Sequence, residues 1–173
     1  MTALVHAIDR LLKGINSGGF TKMTSSTVVM TAAGAYSTGD YMGTTTVPQS
    51  FSDAVRVSGG SGIIKSIVIS DKIATANVAM ELWLLSTTFT APTDNTAWDL
   101  SDPNMLFVQA VIPIATTGWY ASSAGQVYSD STISIPFNVS SNGTSLFYAL
   151  VARGTTPAFT SGDLTVTLGI LQD

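Results

Sequence analysis

The sequence predicts an all-β protein: an antiparallel β-sandwich, most simply an eight-stranded jelly roll, with a short N-terminal helix or arm. Three observations carry this reading. Ser and Thr together fill 45 of the 173 positions and Gly another 15, while Glu81 is the single glutamate. Such a mix disfavours helix and suits short strands joined by tight turns. Eight or nine apolar, β-branched runs recur along the chain, with turn signals every 8–20 residues. The chain also closes on two such runs, so its C-terminus is built into the core.

The first 20 residues stand apart as a separate segment, and residues 21–173 form the sandwich. Leu4, Ile8, Leu11, Leu12 and Ile15 fall at helical spacing, Thr2 suits a cap, and Gly14 lies where a helix would stop. His6, Asp9 and Arg10 interrupt any secretory h-region. Two roles fit this piece: a helix packed on its own sheet, or an arm docked on a neighbouring subunit. The Gly18–Gly19 hinge favours the second.

The strands follow in order. Thr24–Ala32 reads as a strand leading into a turn around Gly39-Asp40, flanked by Tyr36 and Tyr41. Pro48 marks an edge or crossover, and Ala54–Val57 a short strand closed by the turn Gly59-Gly60-Ser61-Gly62. That glycine-rich turn lacks the lysine-hydroxyl pair of a phosphate loop. Ile63–Ser70 is apolar on both faces, with Asn77–Leu85 as its expected antiparallel partner. Leu106–Ala115 is another strand. Short aromatic stretches at Gly118–Tyr120 and Gln126–Tyr128 flank a small-residue turn, and Pro136 places Thr132–Val139 at an edge. In the terminal pair, Leu146–Val151 reads as buried on both sides. Leu164, Val166, Leu168 and Ile170 alternate with Thr165, Thr167 and Gly169, so this last strand reads as half covered.

Composition also bounds the function. A chain of 173 residues and 18.0 kDa is one domain that buries about 70% of its unfolded surface. There are no cysteines, which removes disulfides, thiolate nucleophiles and cysteine metal sites. The net charge of −4 with scattered basic residues argues against a nucleic-acid partner. No apolar run approaches the roughly 20 residues of a membrane-spanning helix. Only 10% of residues are charged, with a mean hydropathy of +0.35; such a surface is ordinarily hidden against a partner. The pattern therefore points to assembly rather than catalysis.

Candidate chemistry is sparse. His6 is the only histidine, so a Ser-His-Asp triad or a multi-histidine metal site is not available. Asp94, Asp99 and Asp102 sit in the long irregular segment 86–104, but at no calcium-loop spacing; turn capping is the better reading. Paired carboxylates for glycoside hydrolysis could come only from that same polar loop. Trp83 beside Glu81 could make a ligand platform, but a half-buried sheet face is the better reading. Asn138 and Asn142 head glycosylation-type triplets that carry little weight without a signal peptide. No catalytic, cofactor-binding or metal-binding residue is assigned.

The stretch AYSTGDYMG, the sheet run IIKSIVISDK, the segment MELWLLSTTFTAPTDNTAWDLSDPNML and the close SLFYALVARGTTPAFTSGDLTVTLGILQD carry a resemblance. From about Ser26 to Asp173, the chain resembles tailed-bacteriophage capsid decoration (cement) proteins. That resemblance implies a jelly-roll subunit, a homotrimer, and a place on the virion exterior at three-fold and quasi-three-fold positions. It implies the major capsid protein as partner, with no cofactor, no nucleic acid and no membrane. The alternative within the same setting is a tail or host-attachment component, with exposed loop aromatics such as Trp98 and Trp119 contacting sugar.

Overall fold

The computed structural model describes residues 20–31, 34–44, 47–73 and 77–173; the proposed N-terminal helix or arm lies outside the described residues. Two antiparallel sheets pack face to face as an all-β sandwich. In the first sheet the order is β1 (Phe20–Thr27), β13 (Leu164–Gln172), β5 (Ser61–Asp71), β9 (Gly125–Asp130) and β8 (Trp119–Ser122). A further strand, β10 (Ile135–Asn138), pairs with the opposite half of the same β5 edge that β9 uses. In the second sheet, β3 (Tyr41–Met42) and β4 (Gln49–Phe51) share one edge of β11 (Leu146–Ala152). Beyond β11 come β6 (Met80–Leu85) and β7 (Val108–Ile114). A ribbon of β2 (Gly34–Ala35) and β12 (Ala158–Phe159), and a one-turn helix α1 (Asp102–Met105) opened by Pro103, complete the described chain.

The core lies between the sheets. Ile64, Ile67 and Ile69 of β5 and Leu164, Val166, Leu168 and Ile170 of β13 meet Leu146, Tyr148 and Leu150 of β11 and Met80, Leu82 and Leu84 of β6. These are the inward positions of a period-two pattern, so burial follows directly from alternation. The Tyr148 ring stacks on Phe51 at 4.6 Å. Its hydroxyl donates to Gln49 Oε1 (3.0 Å) within its own sheet and accepts from the Ser26 hydroxyl (3.0 Å) across the sandwich. A buried phenol thus has polar partners, which removes most of its desolvation cost.

As expected from its sequence, β11 is buried on both faces, while β13 is buried on one and half covered on the other. Three expectations change. The two C-terminal strands do not pair: β11 lies in the second sheet and β13 in the first. The loop between them, holding Gly154, Pro157 and Gly162, carries the chain across the sandwich rather than folding it into a hairpin. For the same reason β5 and β6 occupy opposite sheets. Residues 54–57 are irregular, and Ser61 and Gly62 already belong to β5 rather than to a turn. The outer positions of β5 are half-buried, because nothing in the described chain covers that face.

Backbone irregularities shape the first sheet locally. Lys65 is the extra residue of a β-bulge opposite Gly169 and Ile170. At the β8–β9 hairpin, a Cβ on Gly125 would come within 2.6 Å of the Asp71 carbonyl oxygen, so the close approach of β9 to β5 requires glycine there.

Candidate interaction surfaces

The irregular segment 86–104 is not a free loop. It folds over the outer face of the second sheet and is held there by backbone and side-chain bonds. The Tyr41 N–H donates to Thr96 O (2.8 Å), Asn95 N–H to Tyr41 O (3.0 Å) and Trp98 N–H to Gly39 O (2.8 Å). Beneath it, Trp98 stacks on Tyr41 (5.6 Å) and meets Trp83 (5.6 Å) and Phe89 (5.7 Å) edge-on. Leu85, Ala149 and the half-buried Phe147 complete this second cluster. The Tyr41 phenol, deep in it, is pushed up to about 12, mainly by burial.

Asp94 pins the segment from within. It is buried, and its carboxylate accepts from Thr31 N–H (2.7 Å), Gly43 N–H (3.0 Å) and the Tyr36 hydroxyl (3.0 Å). Burial, reinforced by that carboxylate, drives the Tyr36 phenol far above its ordinary range. Asp99 and Asp102 are exposed and do not join Asp94. Among the described residues, no three His, Cys, Asp or Glu side chains gather closely enough to hold a metal. The sequence motif that could have been read as a calcium loop is a hydrogen-bonded anchor.

Glu81 and Trp83 do lie together on the outer face of β6. The Trp83 indole N–H donates to Glu81 Oε2 (2.9 Å), and the Arg153 guanidinium donates to the same oxygen (2.6 Å). Hydrogen bonding from Arg153 holds the Glu81 carboxyl below its usual range, against the opposing effect of burial. The chain's own groups therefore occupy this platform. Trp119, expected as an exposed loop aromatic, is a core residue instead: it is buried, packs on Tyr128 at 5.7 Å, and donates its indole N–H to Val78 O (3.2 Å). It starts β8 facing inward, because the exposed member of the Trp119-Tyr120 pair is Tyr120. Trp98 is half-buried on the other sheet, so the two tryptophans do not form one sugar-binding surface.

Described residues line two open depressions of the surface. One of about 630 Å³ is lined by Lys22, Asp53, Val55, Arg56, Thr144 and Gln172. Asp53, in left-handed backbone geometry (φ 50°), is its hub. Its carbonyl accepts from Lys22 Nζ (2.9 Å) and Gln172 Nε2 (2.8 Å), and its carboxylate from Thr144 Oγ1 (3.2 Å). It is the only carboxylate among the described residues that line the depression, so these residues supply no pair of acids. The other, about 210 Å³, is lined mainly by hydroxyl side chains and includes Asn142.

A further surface is the outer face of the first sheet. Strand register sets its outward residues in rungs. The first runs Thr27, Thr165, Ser70, Val127, Tyr120 across five strands. The second runs Ser25, Thr167, Val68, Ser129, with Ser25 and Thr167 hydroxyls 2.8 Å apart. The third runs Met23, Gly169, Ser66. No residue in these rungs carries a charge. Sequence alternation marks each strand's outward set, but which sets adjoin depends on strand pairing, which the sequence does not state. The chain matches no protein-family model and no curated protein sequence.

Proposed function

We propose that the protein is a bacteriophage virion structural protein: a capsid decoration (cement) protein that binds the outside of the expanded head and stabilises it by bridging capsomers. The observation that carries this reading is the set of uncharged rungs on the outer face of the first sheet, with the exposed Lys65 of the β5 bulge beside them, on a chain with only 10% charged residues. A solvent-facing antiparallel sheet ordinarily carries charges that keep it soluble and apart from other copies. A face without them suits burial in an assembly. The order β1-β13-β5-β9/β10 opposite β3/β4-β11-β6-β7 interleaves early and late strands, and supports the jelly-roll reading. The sequence resemblance supplies the virion setting, with the major capsid protein as partner and the capsid exterior as location.

In this reading the protein works by binding alone, as a homotrimer. A subunit that binds only the expanded lattice stabilises that state by linkage. A closed three-fold ring matches sites of local three-fold symmetry, and its three contacts act together through effective concentration. Purified virions provide the test. The protein should be present in copy number comparable to the capsid protein. Virions stripped of it should release DNA at lower temperature, and adding it back should restore them. Stripped particles of unchanged thermal stability that fail to adsorb to host cells would move the function to host attachment.

A further inference from the structure

The described chain carries a second apolar surface, on the other sheet. Met105, at the end of α1, is 48% exposed, and Leu106, between α1 and β7, is 83% exposed. Phe107 and, further along β7, Val111 are also exposed. Val111 faces outward, because its neighbours Ile112 and Ile114 enter the core, and it pairs with Trp83 of β6. Strand β7 ends the second sheet among the described residues, with β10 packed beside it, and these residues form an apolar ridge at its start and along its outer face. On the first sheet the apolar points Tyr120 (69% exposed) and Val127 also lie at an end, on β8 and β9. The two ends flank the same side of the sandwich, since β10, on the β9 side of β5, lies against β7. Ridge and face thus point away from each other across one side of the subunit.

We infer that the Leu106–Val111 ridge of one copy docks on the uncharged first-sheet face of a second copy, around Tyr120 and Val127, and that this head-to-tail contact closes the trimer. The inference rests on the trimeric part of the function proposed above. Two different surfaces that flank one side of a subunit meet head to tail when copies are rotated about an axis near that side, and such contacts form rings when the rotation closes. The three uncharged rungs cross five, four and three strands at about 4.8 Å spacing, each rung taking about 6.8 Å of strand, which gives roughly 400 Å². A standard interface takes about 800 Å² per partner, so the rungs supply about half of one and neighbouring residues of both copies complete the contact. The ridge from Leu106 to Val111 spans about 17 Å, which the face accommodates. The ridge supplies the apolar side chains, and the small residues of the receiving face permit close approach.

Paired cysteine variants test this, because the chain has no cysteine of its own. The double variants Leu106→Cys/Tyr120→Cys and Val111→Cys/Val127→Cys are treated with a short bis-maleimide, both free and bound to virions. All four positions are exposed, and unchanged melting confirms folding. Each double variant should give covalent species that stop at three chains, whereas each single variant should stay uncross-linked. Two-chain products from a single variant would reveal a symmetric contact and overturn the inference. Native protein of three chain masses with no cross-link in either double variant would also overturn it, while leaving the trimer intact. Native protein that is monomeric both free and on the capsid would remove the trimer itself, and the inference with it.

Discussion

Replacing Asp94 with alanine should be among the most damaging single changes to this fold. The substitution removes one buried carboxylate and with it the bonds from three donors: the Gly43 amide, the Tyr36 hydroxyl and the Thr31 amide, the last of which keeps a longer contact to Gly43 O (3.4 Å). A buried donor left without a partner costs about 1–3 kcal/mol, and bonds to a charged acceptor lie at the upper end. Allowing for some relaxation, the sum is roughly 3–6 kcal/mol, within a total stability of about 5–15 kcal/mol. For a domain of this size each kcal/mol lowers Tm by about 2–4 °C, so the midpoint should fall by about 6–24 °C. Asp94→Asn separates shape from charge. Its best rotamer turns the amide NH₂ toward the Thr31 N–H and sacrifices that bond while keeping the other two, so it should cost about 1–3 kcal/mol. Urea unfolding measures both, with the midpoint shifting at constant slope if the transition stays two-state. A loss below about 1 kcal/mol for Asp94→Ala would refute the reasoning. The aromatic cluster around Trp98 would then hold segment 86–104 unaided.

Two further perturbations probe the core. Leu150→Ala and Leu168→Ala, in opposite sheets and both fully buried, should each cost about 2–5 kcal/mol in the same unfolding assay; a change below about 1 kcal/mol at both would mean their facing is wrong. Alkaline pH should unfold the protein cooperatively. Burial raises the Tyr36, Tyr41 and Tyr148 phenols above 10.0, so they stay protonated in the folded chain while the unfolded chain ionises. Their stabilising effect is intact below pH 10 and drains away above it, at roughly 4 kcal/mol per pH unit for three groups up to about pH 12. Phenolate absorbance appearing together with unfolding would support this, whereas ordinary titration of these tyrosines in folded protein would contradict it.

Much of the fold is legible in single strands. Alternation marks β13 as half covered, the unbroken apolar run marks β11 as covered twice, and Pro136 marks β10 as an edge strand. Partnership is what fails to show. The runs that become β5 and β6 are neighbours in sequence, as are β11 and β13, and each looks like a hairpin. Yet each pair is split between sheets, because a loop of several residues can cross a sandwich as readily as it can turn back. The same non-local register hides the uncharged face, which exists only once Thr27, Thr165, Ser70, Val127 and Tyr120 are brought side by side. Asp94 illustrates the opposite failure. Its sequence neighbours suggest a metal loop or a turn, while its actual partners lie 51 to 63 residues away.

The distribution of charge links these points to the proposed role. The described acidic and basic residues serve mostly as ties within the chain: Asp94 and Asp71 inside, Arg153 on Glu81, Lys22 and Lys72 on carbonyls of Asp53 and Gly162. Few are left to keep copies apart. Among the described residues β7 and β8 lie at sheet ends, and a sandwich with such edges and a Ser/Thr-rich outer face is poorly protected against edge and face association. Lys65, placed at a bulge, and Pro113 and Pro136 in edge strands interrupt continuous strand pairing without repelling a packed surface. Open-ended strand addition is thereby disfavoured while side-chain docking on the sheet face is not. That combination fits a protein selected to associate in a small closed number, and it is what a three-fold clamp on an expanded shell requires.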